Sequence, residues 1–408
     1  MLAEGMRQVA RGNLPRAGDL ALTPASARHI AEKLSHLRGA AMKVGQLLSM
    51  DAGDLLPAEL TSVLAGLRAD AATLPLSEVV RVMEESLGTH WEQNFRRFSF
   101  TPIAAASIGQ VHAAVTQDNC RLALKIQYPG IDESIDSDID NVAALLKISR
   151  LLPDGLDLQP LLQEAKRQLH AEADYLREAD HMRSYELALR ETPEFHHPMV
   201  AEEYTRKNIL AMDYLEGEPI ETLTHADQAT RDRLVALLID LLFRELFEFG
   251  MVQTDPNFAN FIYNAETRQL GLLDFGATRI YTETVIDGYR GLLDSALRGN
   301  HEAMAECAES IGYFREGIHA SQRAAVIELF SLATEPARVT DRYNFGASDL
   351  ASRIRDAGMA LSLQQGYWHT PPADAVFLHR KLGGLYLLAA RLRANIDVRT
   401  ILERYLRR

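Results

Sequence analysis

Cysteine is scarce: Cys120 and Cys307 are the only two in 408 residues. They lie far apart and carry no metal-ligand spacing, so neither a disulfide scaffold nor a thiolate zinc site is expected, and a reducing cytoplasm suits them. Proline is sparse as well, 15 in all, and with 47% hydrophobic residues this excludes a mainly disordered protein. Long apolar runs are missing. MLAEGMRQVARGNLPRAG has no signal-like apolar stretch, and LVALLIDLLFRELFEFGMV is interrupted by Asp240, Arg244, Glu245 and Glu248. No bilayer span is expected, although a charged amphipathic helix leaves peripheral membrane contact open. Basic residues are outnumbered, 43 Lys and Arg against 56 Asp and Glu, and the formal net charge of -13 argues against a nucleic-acid partner. Internal repeats and a Walker loop are both absent, which excludes a solenoid and a P-loop NTPase.

What is present is a helical start, a β-rich middle and a mostly helical remainder. Thr23 is placed to cap a helix with Pro24 at its first position, and Ile30, Leu34 and Leu37 form one stripe. Residues 55 to 98 read as mostly helical, bounded at Pro57 and Pro75, with LSEVVRVMEESLG a helix of its own. Near residue 100 the period changes. Val111, Ala113 and Val115, then Leu122, Leu124 and Ile126, alternate as two strands around a small-residue loop. Lys125 has the opposite parity to the second set, so inward packing of its neighbours turns its amine toward a cleft. Helices are predicted over 133–150 and 157–190, and NILAMDYLEGEP reads as a strand leaving into a linker.

Chemistry-bearing residues cluster in this frame. Ala104, Ala105, Ala106 and Ser107 let backbone amides approach an anion, or simply make a tight turn. Lys125, on the next strand, supplies a point charge suited to phosphate. In KRQLHAEADYLREADHM, at about 100° per residue, Asp174 and Glu178 fall roughly 40° apart and Glu172 roughly 120° from Glu178. One acid can thus face Lys125 while another reaches elsewhere, and a merely solvated face is the plainer alternative. In QTDPNFANFIYNAETRQLGLLDFG, Asp255 can position a nucleophile while Asn260 and Asp274 offer the hard oxygens that magnesium takes beside phosphates. The strands FANFIY and LGLLDF would hold these clusters.

Taken in order, KVGQLLS at 43–49, AAAS at 104–107, the lysine of LALK, EADYLREA at 172–179, DPNFAN at 255–260 and DFG at 274–276 resemble the UbiB or AarF family of atypical kinases. The resemblance implies an α+β, protein-kinase-like bilobal fold with ATP and Mg2+ between its lobes and ADP as product. The helical extension 1–98, carrying the KxGQ motif, would cross the active site. Residues 99–216 would form an N-lobe with inserted helices, and 217–408 a mainly helical C-lobe. Lys125 would pair with Glu178 and touch phosphates; Asp255 would be the catalytic-loop acid, Asn260 and Asp274 the metal ligands. Met212 would back the adenine pocket, with Asp213, Tyr214 and Leu215 at its edge and Ala104 to Ser107 over the phosphates. Lys43 and Gln46 would reach Glu172 and Asp174 as a lid that excludes protein substrates.

The resemblance favours a magnesium-dependent ATPase or small-molecule kinase serving ubiquinone or related isoprenoid-lipid biosynthesis. A phenolic or lipid-linked acceptor and a lipid-biosynthesis protein assembly would be its partners. An active Ser/Thr protein kinase and a nucleotide-regulated scaffold are the alternatives. Certain bacterial relatives carry C-terminal transmembrane segments; this chain has no such segment, which suggests a cytoplasmic location, peripheral to the inner membrane where it meets lipid.

Overall fold

The computed structural model describes residues 40, 43–44, 74–149, 159–314, 316–361 and 371–407. The expected cap at Thr23, the stripe of Ile30, Leu34 and Leu37, the boundary at Pro57 and the lid residue Gln46 lie outside these residues. The chain divides into two compact units, Met1–Arg183 with Met199–Tyr214, and Ser184–Pro198 with Leu215–Arg408.

In the first unit, Leu76–Leu87 begins after Pro75 and is helical because Val79, Val82 and Met83 fall on one face. That face belongs to a core with Trp91, Phe95, Leu122, Leu124, Ile126 and Ile209. The antiparallel sheet beside it runs in the order Phe95–Phe98, Gly109–Thr116, Arg121–Gln127, Ile209–Asp213, with Ala104–Ala105 paired to the second strand. Leu122, Leu124 and Ile126 are buried while Lys125 turns to the other face, as alternation requires. The register pairs Val111 with Lys125, which sets Val111, Ala113 and Val115 on the lysine's face and His112 and Ala114 toward the core.

The single helix expected over 157–190 is two, Gln159–Ala173 and Tyr175–Leu189. Asp174 makes the break: its Oδ1 accepts from the Arg177 backbone N–H at 3.0 Å, the pattern of an N-cap. Angular separations reckoned on one continuous helix therefore do not hold across 172–178.

The second unit has a four-stranded sheet in the order Phe195–His196, Gln269–Leu272, Phe261–Asn264, Glu218–Pro219, and a ribbon of Met251–Gln253 with Thr278–Ile280. FANFIY is extended only from Phe261, because the Asn257 side chain caps a 3-10 turn over Phe258–Asn260. Helices make up most of the rest. Gln228–Arg244 is capped by Asp227, buries Leu234, Val235, Leu238 and Ile239, and passes into a π turn, Glu245–Phe249. Gly250 closes that turn at φ 64, a left-handed conformation that suits glycine. Glu283–Leu297, His301–Ile311, Ala320–Ala333, Leu350–Met359, Ala373–Arg391 and Val398–Leu406 follow. Among the described residues, no helix is long and apolar enough to cross a membrane.

Candidate functional site

The first unit gathers the cationic and loop residues. Lys125 Nζ donates to both carboxylate oxygens of Glu178, at 3.1 and 2.9 Å, and stands 5.2 Å from the Tyr175 ring. Glu178 is 1% exposed and lies in the first turn of Tyr175–Leu189, where the positive end of the helix dipole favours a carboxylate. Beside this pair, Gly109 is obligatory: a Cβ there would stand 2.3 Å from the Ile126 carbonyl oxygen. Ala104 and Ala105 are exposed, and Ala106 closes a turn on the Gly109 carbonyl at 2.9 Å.

Glu172, in the last turn of Gln159–Ala173, uses both oxygens. Lys43 Nζ donates to Oε1, and the Ser107 hydroxyl donates to Oε2. Lys43 and the alanine loop thus share one acid, with Val44 buried beside Lys43. Of the two acids expected to meet Lys43, Glu172 does so, and the oxygen of Asp174 goes to its helix cap. Met212 is buried on Ile209–Asp213; Asp213 accepts from the Met199 N–H at 3.2 Å, and the Arg121 guanidinium lies 4.4 Å from the Tyr214 ring.

The second unit gathers the oxygen donors. Asp255 Oδ1 accepts from the Asn257 N–H at 3.2 Å and Oδ2 from Asn260 Nδ2 at 2.9 Å. With its nitrogen on Asp255, the Asn260 amide turns its oxygen the other way. Asp274 Oδ1 accepts from the Gly276 N–H at 2.9 Å, and Phe275 between them is buried, 4.9 Å from the Tyr185 ring. Among the described residues no three His, Cys, Asp or Glu gather as a metal cage. The donors at hand, one amide oxygen and one carboxylate, are of the hard type that suits magnesium.

Residues 66–308 match the ABC1 atypical kinase-like domain. The chain belongs to this family, the UbiB/ABC1/AarF atypical kinases. Over 396 residues it is 38% identical to the mitochondrial atypical kinase COQ8 of Saccharomyces cerevisiae, covering 97% of this chain and 79% of that one. It is 37% identical over 382 residues to the mitochondrial atypical kinase COQ8B of Rattus norvegicus, covering 94% and 72%. A solved structure, the complex of Rv3197 with erythromycin from Mycobacterium tuberculosis, is similar with a TM-score of 0.63 at 26% identity, covering 93% of this chain and 95% of that one. The protein-kinase-like fold, a helix and sheet unit followed by a mainly helical one, accords with this membership.

Two features of the site are not legible in the sequence: the Ser107 bond to Glu172 and the place of Tyr175 beside Lys125. Ser107 is the one hydroxyl in AAAS, a local hint, but its partner lies 65 residues away.

Proposed function

We propose that this chain binds ATP with magnesium and acts as an atypical kinase or ATPase in ubiquinone or related isoprenoid-lipid biosynthesis, with restricted access for protein substrates. The observation that carries the reading is the Lys125–Glu178 pair, an ammonium held by a buried carboxylate at two hydrogen bonds and so preset to meet phosphate. Magnesium would balance phosphate charge beside Asn260 and Asp274. Asp255, fixed by Asn257 and Asn260, would orient the attacking oxygen. Restricted access is supported by Glu172, which ties Lys43 to Ser107. The pathway comes from family membership.

The test compares ATP turnover, autophosphorylation and transfer to added proteins for wild type, Lys43→Ala and Asp274→Asn, with and without lipid vesicles and quinone-like phenols. Wild type is expected to turn over ATP, faster with vesicles or phenols, and to transfer little to proteins. Lys43→Ala should raise autophosphorylation, and Asp274→Asn should lose roughly 100-fold or more in turnover. Efficient phosphorylation of diverse proteins by wild type, unchanged in Lys43→Ala, would favour a protein kinase instead.

A further inference from the structure

The loop that bears Asp255 is held from below by a helix that the motifs do not include. Lys381, on Ala373–Arg391, donates from Nζ to Gln253 Oε1 at 3.0 Å and lies 3.6 Å from Glu245 Oε2. One turn on, a Cβ added at Gly384 would stand 2.6 Å from the Pro256 Cβ. Lys381 and Gly384 are three residues apart and share a helix face, while Gln253 and Pro256 bracket Asp255. Glu245 completes the arrangement, accepting from the Tyr185 hydroxyl at 2.6 Å and the Gln253 N–H at 3.3 Å. The Gln253 amide nitrogen has no hydrogen-bond partner among the described residues, so the contact with Lys381 is what fixes this side chain.

Lys381 and Glu245 are each 1% exposed. Burying an ion pair removes two charges from water, and apolar side chains of the same size would pack the helix at least as well. Such a pair therefore calls for a role beyond adhesion. Burial lowers the lysine's pKa, opposed first by Glu245 and then by Asp255, so the Asp255 carboxylate lies within electrostatic reach of the buried ammonium. QTDPNFAN contains no cation of its own. A loop of this kind needs holding, because displacing a reacting group by about 1 Å costs about 100-fold in rate.

We infer that Ala373–Arg391 is the seat of the 251–260 segment and that Lys381 is a positioning residue, fixing Asp255 through Gln253 while Gly384 admits Pro256. The inference rests on the nucleotide reading above and extends it to residues beyond the matched domain. A helix that merely filled space there would leave turnover indifferent to the charge at 381 once stability was restored.

The experiment uses the full chain as wild type, Lys381→Met, the double variant Lys381→Met with Glu245→Gln, and Gly384→Ala. Lys381→Met strands a buried carboxylate and should melt lower; the double variant removes both charges and should melt close to wild type. In the double variant Mg-ATP should still raise the melting temperature and KM for ATP should stay within about twofold, while kcat falls about 100-fold. Gly384→Ala buries no stray charge and should show the same split, lower kcat with KM retained. Amide hydrogen exchange over 251–260, which needs no nucleotide, should quicken in both. Wild-type kcat and unchanged exchange in the double variant and in Gly384→Ala would overturn the seat. A wild type without any Mg-ATP melting shift or Asp274-dependent turnover would overturn the nucleotide reading, and the exchange arm would then decide the seat alone.

Discussion

His112 shows how much one side chain can carry in this fold. It is buried in the sheet, its Nδ1–H donates to the Ser99 carbonyl at 2.7 Å, and its Nε2 meets Gln110 Nε2 at 2.7 Å. Gln110 cannot turn round, because its Oε1 already accepts from the Leu74 N–H at 2.9 Å. A proton on Nε2 would set two donors face to face. Burial accordingly lowers the His112 pKa below 6.5, so the folded chain binds fewer protons than the unfolded one as pH falls through that value. Stability is whole above the unfolded pKa and declines below it, by at most about 1.4 kcal/mol per pH unit. Urea titrations from about pH 7 to about pH 5 should show this slope in wild type and a shallower one in His112→Phe, which keeps an aromatic ring against Phe98. Equal slopes would remove His112 from the account.

Among the elements, the helices around Asp174 show what the sequence discloses and what it hides. The acids of EADYLREA were legible because carboxylates near a strand lysine form a short, ordered pattern, and so were the strands around Lys125, whose apolar residues alternate. The break at Asp174 was not. Its apolar period continues across the junction, and capping is decided by one hydrogen bond that periodicity does not register. Long-range partners are hidden for the same reason: Lys381 and Gln253 are 128 residues apart, and no local pattern in either segment announces the other. The cap makes its own prediction. Asp174→Ala should lose about 1 kcal/mol in urea unfolding, and Asp174→Asn, which removes the charge and keeps the capping oxygen, should lose only a few tenths. Equal losses would mean that the charge of Asp174 matters more than its cap.

For the whole molecule, the two units carry complementary chemistry, cationic and loop groups in the first, oxygen donors in the second. ATP bound with magnesium, as proposed above, would favour the folded chain by mass action, about 2.7 kcal/mol at about 100 times Kd. Thermal melts with ATP, with magnesium and with both should therefore rise most with both, because the metal offsets repulsion between phosphates and Asp274. No nucleotide-dependent shift with any divalent metal would count against the assignment. Pro256 and Gly384 draw a different consequence from the same chain. They compete for one small space, yet the family match ends at residue 308, before Gly384. Across descendants of this sequence the two positions should drift in concert: a lineage that acquires bulk at 384 should surrender it at 256, and a hybrid that takes its motif segment from one lineage and its C-terminal helix from another should inherit a clash that neither parent had.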